Sequence, residues 1–243
     1  NLKNVFLGVD ALYLNYALVE NEAEIEKTII DAALESGVQH IIYASTVGCE
    51  KDHGVPHWTS SYKTEEYLKK CYEESRGEKD FKFHLMRLAH FNENILPGSY
   101  NSPKNGKITY PYNTDYAVAT SSLRDAARVA CKLFAEPSKL PNGSSIDAIT
   151  EYVTPKDIAA AVSKAKGEII TAEKGPWIFT TFGHWFGWEA NTILCMAKYF
   201  EANGGYKDFD YDAMRNLLQD DIDAGEPLET IEAFAKRHFH VEV

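Results

Sequence analysis

The sequence predicts an α/β fold in which a parallel sheet is flanked by helices. Two observations carry that prediction. The run Ile41-Ile42-Tyr43-Ala44 is apolar, with no polar alternation. That pattern fits a strand buried on both faces, as in a parallel sheet. A helical pattern precedes this run, a second follows it, and each lies between strand candidates. Crossovers of helical length make the strands they join parallel and the connection right-handed.

The elements follow in order. Residues 10–15 form a strand candidate preceded by Gly8. Residues 20–35 read as an amphipathic helix in which Ile25, Ile29, Ala32 and Ala33 share a face, and Gly37 ends it as a C′ glycine. The strand 39–44 comes next. A helix is expected over 60–76, with Glu65 and Glu66 near its start, where the helix dipole favours acids. A strand over 81–88 completes a second β-α-β unit. A loop rich in Pro, Gly, Ser and Asn spans 97–107, and 109–112 is a short extended piece. Ser122 and Asp125 have capping-box spacing for a helix running to about Ala135. Strands are expected over 145–149 and 168–171. Between them Thr154-Pro155-Lys156-Asp157 opens a helix with an N-cap, a proline in the first turn and an acid at N3. From Trp177 the composition shifts, with Phe179, Phe182, Trp185, Phe186 and Trp188 close together. Further helices are expected over 190–202, 210–221 and 228–237, the first stopped by Gly204-Gly205.

Composition bounds the function. The 243 residues suffice for one large α/β domain, and the 44% apolar and 25% charged shares belong to a soluble globular chain. The net charge of −11 argues against direct binding to nucleic acid or to an anionic membrane. Cys49, Cys71, Cys131 and Cys195 form no metal-ligand spacing, which predicts reduced thiols in a cytoplasmic protein and no metal site. No apolar run is long enough to cross a membrane as a helix. The N-terminus carries no signal-peptide pattern and no initiator Met, so a trimmed or partial chain is expected.

The candidate site starts at Ser45-Thr46, where the buried run ends. Open α/β sheets bind ligands outside the carboxyl ends of their strands. Two hydroxyls there, followed by Lys63 on the next helix, can hold a sugar or a nicotinamide ribose. The competing reading is that the hydroxyls satisfy loop backbone groups and that the lysine is solvated. The aromatics from Trp177 with His184 read as core, as surface cover or as pocket lining. His53 and His57 reach the site mouth or stay solvated, and His238 with His240 lacks the further ligands of a metal site.

In these pieces the chain resembles the NmrA-like proteins of the atypical short-chain dehydrogenase/reductase superfamily. The resemblance rests on Leu7-Gly8-Val9-Asp10-Ala11-Leu12-Tyr13-Leu14 and on the stretch from Ile30 to Ser45. It continues through Lys63 with Glu66-Tyr67-Leu68, Arg87 and Phe91-Asn92-Glu93-Asn94. It closes with Ser121 to Asp125, Tyr152-Val153-Thr154, Asp157-Ile158-Ala159 and Ile231-Glu232-Ala233-Phe234. It implies a single NmrA-like domain over 1–243 with a Rossmann-type sheet. Residues 1–96 would hold the remaining Rossmann core, and 97–243 mostly a smaller C-terminal α/β lobe for substrate or partner. It also implies NADP or NAD as cofactor. Leu14, Asn15 and Tyr16 would lie along the cofactor's middle, Ser45, Thr46 and Lys63 at the nicotinamide ribose, and Phe91, Asn92 and Asn94 at the nicotinamide.

The departures from the family pattern matter. The family's opening Gly-x-x-Gly-x-x-Gly turn, which brings backbone amides to the pyrophosphate, has no counterpart around Gly8. Cofactor binding by the chain as given is therefore expected to be weak or absent. The superfamily's Tyr-x-x-x-Lys pair is incomplete, since Thr59 stands four residues before Lys63 and the tyrosine is the adjacent Tyr62. The functional expectation is an NAD(P)-linked reductase of a small carbonyl, imine or quinone-like compound, with Lys63 and Tyr62 as catalytic candidates and Tyr62, His57 or water as proton donor. The alternative is a non-catalytic cofactor sensor that binds a regulatory protein partner. A homodimer is the expected association.

Overall fold

The computed structural model describes residues 2–16, 19–51, 54–75, 81–175, 187–205 and 209–239. A short helix α1 (Leu2–Val5) precedes strand β1 (Ala11–Leu14). Helix α2 (Glu22–Glu35), strand β2 (His40–Thr46), helix α3 (Pro56–Ser75) and strand β3 (Lys82–Leu88) follow. Strand β4 (His90–Phe91) and a turn of 3₁₀ helix (Asn92–Ile95) lead to β5 (Lys107–Tyr110), β6 (Val118–Ser121) and α4 (Leu123–Ala135). Then come β7 (Ser145–Ala148), β8 (Glu151–Val153), α5 (Pro155–Lys166) and β9 (Thr171–Lys174). The tail carries α6 (Trp188–Asn203), α7 (Ala213–Leu217), α8 (Gln219–Asp223) and α9 (Ile231–Phe239).

The main sheet runs β1-β2-β3-β7, all parallel. Ile41, Ile42 and Tyr43 are fully buried because helices cover both faces of β2. Ile41 and Tyr43 pack with Ile30 and Ala33 of α2 and Leu68 of α3. Ile42 packs toward Val129 and Leu133 of α4 and Met214 of α7. The fourth strand comes from 145–148, beyond the 96/97 division read from the sequence. The lobe adds a β4-β6-β8 sheet and a parallel β5-β9 pair, sharing a core with α5, α6 and α9.

Several boundaries differ from the sequence expectation. Helix α3 begins at Pro56, whose fixed φ suits a first turn. The strand expected at 168–171 forms at 171–174. Gly167 ends α5 in the left-handed region (φ 68°), and the Ile170 amide then bonds Ser163 Oγ before pairing with β5 begins. The helix expected over 210–221 is two short helices. The last helix starts at Ile231 rather than Leu228, because Thr230 Oγ1 accepts the Ala233 amide and caps it there. The Thr154–Asp157 capping box forms as expected. The Ser122–Asp125 box does not: Ser122 Oγ donates to Glu229, and Asp125 accepts from the Glu229 amide and Arg128. Glu93 accepts the Leu123 amide in its place. His53, His184, His240 and the aromatics from Trp177 to Phe186 lie outside the described residues.

Candidate functional site

The carboxyl ends of β1, β2 and β3 open toward the lobe, and residues from both parts enclose a cavity of about 480 Å³. Asn15, Ser45 and Thr46 come from the strand ends, and Ala89, His90, Phe91 and Asn94 from the segment after β3. Tyr110 and Tyr112 come from the β5 strand and its extension, His57 and Trp58 from α3, and Met196 and Phe200 from α6.

The strand ends are fixed by one buried acid. Glu65 on α3 accepts two bonds from Arg87, at 2.9 and 2.8 Å, one from Ser45 Oγ at 2.6 Å and one from Cys49 Sγ at 3.1 Å. Ser45 and Arg87 are register partners on β2 and β3, so the carboxylate ties both strands to the helix. Burial alone would raise the Glu65 pKa, but the Arg87 hydrogen bonds and charge, with Ser45 and Cys49, hold it below the ordinary value. Burial and the Glu65 charge raise the Cys49 thiol, which therefore stays protonated. The neighbouring Thr46 Oγ1 lies 3.1 Å from Ser61 Oγ.

The cavity wall away from the strand ends also carries polar groups. Tyr110 and Tyr112 are 0% and 1% exposed, and neither hydroxyl has a hydrogen-bond partner among the described residues. His90 Nε2 is also buried and unpartnered. Burial lowers His90 to a pKa of about 4, so its ring is neutral near pH 7. His57 is likewise lowered to about 4 by burial, and its Nδ1 lies 2.7 Å from Thr192 Oγ1. Buried polar atoms normally find partners, so a cluster of unpaired ones lining a cavity marks where a ligand or water belongs. Trp58 and Phe200 supply apolar surface beside them.

Of the residues singled out in the sequence, Asn15, Ser45, Thr46, Phe91 and Asn94 line this cavity. Leu14 is buried in the sheet core, and Tyr16 is 37% exposed outside the cavity. Asn92 is buried at the start of the 3₁₀ turn, with both amide atoms unpartnered among the described residues. Lys63 and Tyr62 require correction. Both are exposed and neither lines the cavity. The face of α3 turned to the core carries Trp58, Ser61, Thr64, Glu65 and Leu68, which follow the helical repeat, and positions 62 and 63 fall off that stripe. His90, Tyr110, Tyr112 and the Glu65–Arg87 pair were missed as site residues. The one signal in the sequence was the Tyr-x-Tyr spacing at 110 and 112, which sends both rings to one side of an extended segment.

Among the described residues no group of three or more His, Cys, Asp or Glu side chains is placed to hold a metal ion, and no helix is long and apolar enough to cross a membrane. A family model described as the NmrA-like family matches residues 1–240. No curated protein matches the sequence. Solved structures do. Triphenylmethane reductase from Citrobacter sp., complexed with NADP(H), superposes with a TM-score of 0.71 at 16% identity, over 98% of this chain and 79% of that one. The NADPH-dependent quinone oxidoreductase from Escherichia coli, complexed with NADPH, gives 0.72 at 20% identity over 98% and 80%. NmrA, a negative transcriptional regulator in complex with NAD, gives 0.70 at 19% identity over 98% and 76%. At these identities the likeness is one of fold.

Proposed function

Because the chain belongs to the NmrA-like family, we propose that it binds a nicotinamide dinucleotide, NADP(H) or NAD(H), and reduces a small carbonyl, imine or quinone-like compound. The nicotinamide end would lie at the carboxyl ends of β1 and β2, beside Asn15, Thr46, Phe91 and Asn94. The residues present fit that end of the cofactor. Amide and hydroxyl groups there can bond a ribose and a carboxamide, Phe91 offers a flat face, and the opening leads into the cavity. When bound, the cofactor supplies hydride chemistry. The protein's own residues shape the chamber, exclude water and hold polar groups at its far end.

One observation carries this reading: an aromatic cavity of about 480 Å³ joins the strand ends to the unpaired polar atoms of His90, Tyr110 and Tyr112. That is room for a small ring compound beside a flat cofactor end. A second reading, a cofactor sensor without turnover that acts through a protein partner, is favoured by the exposed positions of Lys63 and Tyr62, which leave no tyrosine–lysine pair at the cavity.

Titration of the purified chain with NADPH and NADH, read by intrinsic tryptophan fluorescence, tests binding. Oxidation of either by 1,4-naphthoquinone and by an aromatic aldehyde tests turnover. Binding with turnover supports the reductase. Binding without turnover supports the sensor. Absence of binding refutes both.

A further inference from the structure

We propose that His57 holds a carbonyl oxygen of the substrate by donating its Nε2 hydrogen, and that Thr192 of α6 fixes the ring in the tautomer that makes this possible. This assignment rests on the reading of the cavity as a chamber for a small carbonyl or quinone-like compound.

The tautomer follows from the bonds around the ring. His57 is the second residue of α3, after Pro56. Amides in a first helical turn have no partner within their own helix. The His57 amide finds one in Thr192 Oγ1 of α6, 2.9 Å away. The His57 ring meets the same oxygen, with Nδ1 at 2.7 Å. An amide can only donate, so Oγ1 accepts from it. Thr192 is 0% exposed, so its own hydrogen needs an acceptor too. Among the described residues its two hydrogen-bond partners are these two atoms of His57, and of the two only Nδ1 can accept. Thr192 therefore donates to Nδ1. In the neutral ring the hydrogen then sits on Nε2.

That hydrogen belongs to the cavity side. His57 lines the cavity and Thr192 does not, so Nδ1 faces the wall and Nε2 is the nitrogen left for the interior. The Nε2 atoms of His84 and His90 are buried without partners. His57 Nε2 is not sealed in that way, and no described residue bonds it. Trp58 packs edge to face on the ring, with centroids 5.8 Å apart, and holds its plane. A plain tie between α3 and α6 would use the amide and Nδ1 and leave Nε2 without a role.

The chemistry is that of a hydrogen-bond donor, not of an acid. Burial lowers the His57 pKa to about 4, and a helix N-terminus disfavours a cation, so near pH 7 the ring has no extra proton to give. A neutral imidazole N–H suits a carbonyl oxygen, which can only accept. No covalent bond breaks. The ring keeps its hydrogen, and the bond to the oxygen strengthens as negative charge develops there. Glu22 also lines the cavity, from the first turn of α2, but an ionised carboxylate only accepts and cannot hold that oxygen.

Long-range 1H–15N NMR of the full chain reads the tautomer directly. The His57 signals are identified among those of the eight histidines by their loss in His57→Phe, or in His57→Gln if the first variant does not fold. At pH 7 the expected spectrum shows a protonated Nε2 and a bare Nδ1. A hydrogen on Nδ1, or on both nitrogens, overturns the proposal. Thr192→Val keeps the side chain's volume and should give a mixture of tautomers, and Thr192→Ser should restore the single one. A Thr192→Val ring identical with the wild type overturns the part assigned to Thr192. The ligand probe is 1,4-naphthoquinone labelled with 13C at its carbonyls. One carbonyl stretching band of the bound quinone should lie at lower frequency in the wild type than in His57→Phe, and His57→Gln, whose amide can donate, should keep part of the difference. Affinity should fall by about three- to tenfold in His57→Phe, the effect of one neutral hydrogen bond. Equal frequencies or equal affinities overturn the contact, as does a wild type that does not bind the quinone. If ring and quinone behave as expected but NADPH is not oxidised, His57 keeps its role and the reductase reading fails. If NADPH is oxidised by naphthoquinone with the same kcat/KM in His57→Phe as in the wild type, the reductase reading stands and His57 is not the group that holds the oxygen.

Discussion

Glu65→Gln is the most informative stability test, because Glu65 holds the floor of the site. The substitution keeps volume and shape but removes the charge that faces Arg87. The Arg87 side chain is only 12% exposed and would retain Glu50, at 3.2 Å and on a side chain 31% exposed, and the charge of its register partner Asp147. Breaking a buried ion pair by removing one partner costs about 3–5 kcal/mol. The surviving Glu50 contact argues for the lower end. A protein of this length loses about 2–4 °C of Tm per kcal/mol, so a cost of about 3 kcal/mol lowers the melting temperature by roughly 6–12 °C. Thermal unfolding followed by circular dichroism reads this directly. Adding Arg87→Met to Glu65→Gln should recover much of the loss, because the double variant leaves no uncompensated charge. A shift below about 2 °C for Glu65→Gln would sink the claim that this pair fixes the strand ends. A double variant as unstable as the sum of the singles would show that Glu65 and Arg87 act independently. The sign with pH is also fixed. The folded-state pKa of Glu65 is depressed, so its contribution is present above the unfolded pKa and is lost as pH falls through the folded one.

Glu26 predicts the opposite slope. Its pKa rises from 4.5 to about 7 on folding, so its contribution is full below the unfolded value and falls by about 3 kcal/mol as pH passes from one value to the other. Urea unfolding of the wild type minus that of Glu26→Gln across this interval should show the slope, and parallel curves would contradict it. Tyr110→Phe removes a buried hydroxyl that has no partner, so stability should hold or rise by about 1 kcal/mol, while binding of a carbonyl ligand weakens. A clear loss of stability in denaturant titration would mean that the hydroxyl has a structural partner. Lys63→Met should leave both cofactor affinity and Tm unchanged, since the side chain is exposed and outside the cavity; a tenfold loss of affinity by fluorescence titration would restore Lys63 to the site.

The sheet was legible because burial on both faces writes itself into residues 41–44 as an unbroken apolar run, and because Gly37 and Thr154-Pro155-Lys156-Asp157 mark helix ends by local chemistry. The Ser122 box misled because its spacing is a local signal, whereas the partner that captures it, Glu229, lies 107 residues away in sequence. The same limit hid most of the site. Ser45 and Thr46 were expected from their place at a strand end, and Phe91 and Asn94 from the family resemblance; all four line the cavity. Glu65 looked like a helix-start acid, and only the pairing of β2 with β3 brings Arg87 against it. The place of Lys63 depends on helical phase, which a sequence without a fixed helix start leaves open. A helix that begins at Pro56 and buries Trp58, Ser61 and Glu65 turns 62 and 63 outward.

The character of the chamber follows from what its wall cannot carry. Among the described residues its lining includes no lysine or arginine, and the one acid there is Glu22, 3% exposed. Burial keeps His57 and His90 neutral near pH 7 and keeps the Tyr110 and Tyr112 phenols protonated. An anion entering this space would lose its hydration and meet no compensating charge, and a cation would meet only aromatic faces and Glu22. On the proposed reading the walls would favour an uncharged compound with an acceptor that the phenols can reach. A preference for neutral ligands would thus follow from the burial that keeps the histidines and phenols of the wall uncharged. Naphthoquinone should accordingly bind more tightly than its sulfonated analogue by well over tenfold. Equal affinities in a fluorescence titration would show that a cation outside the described residues serves the cavity.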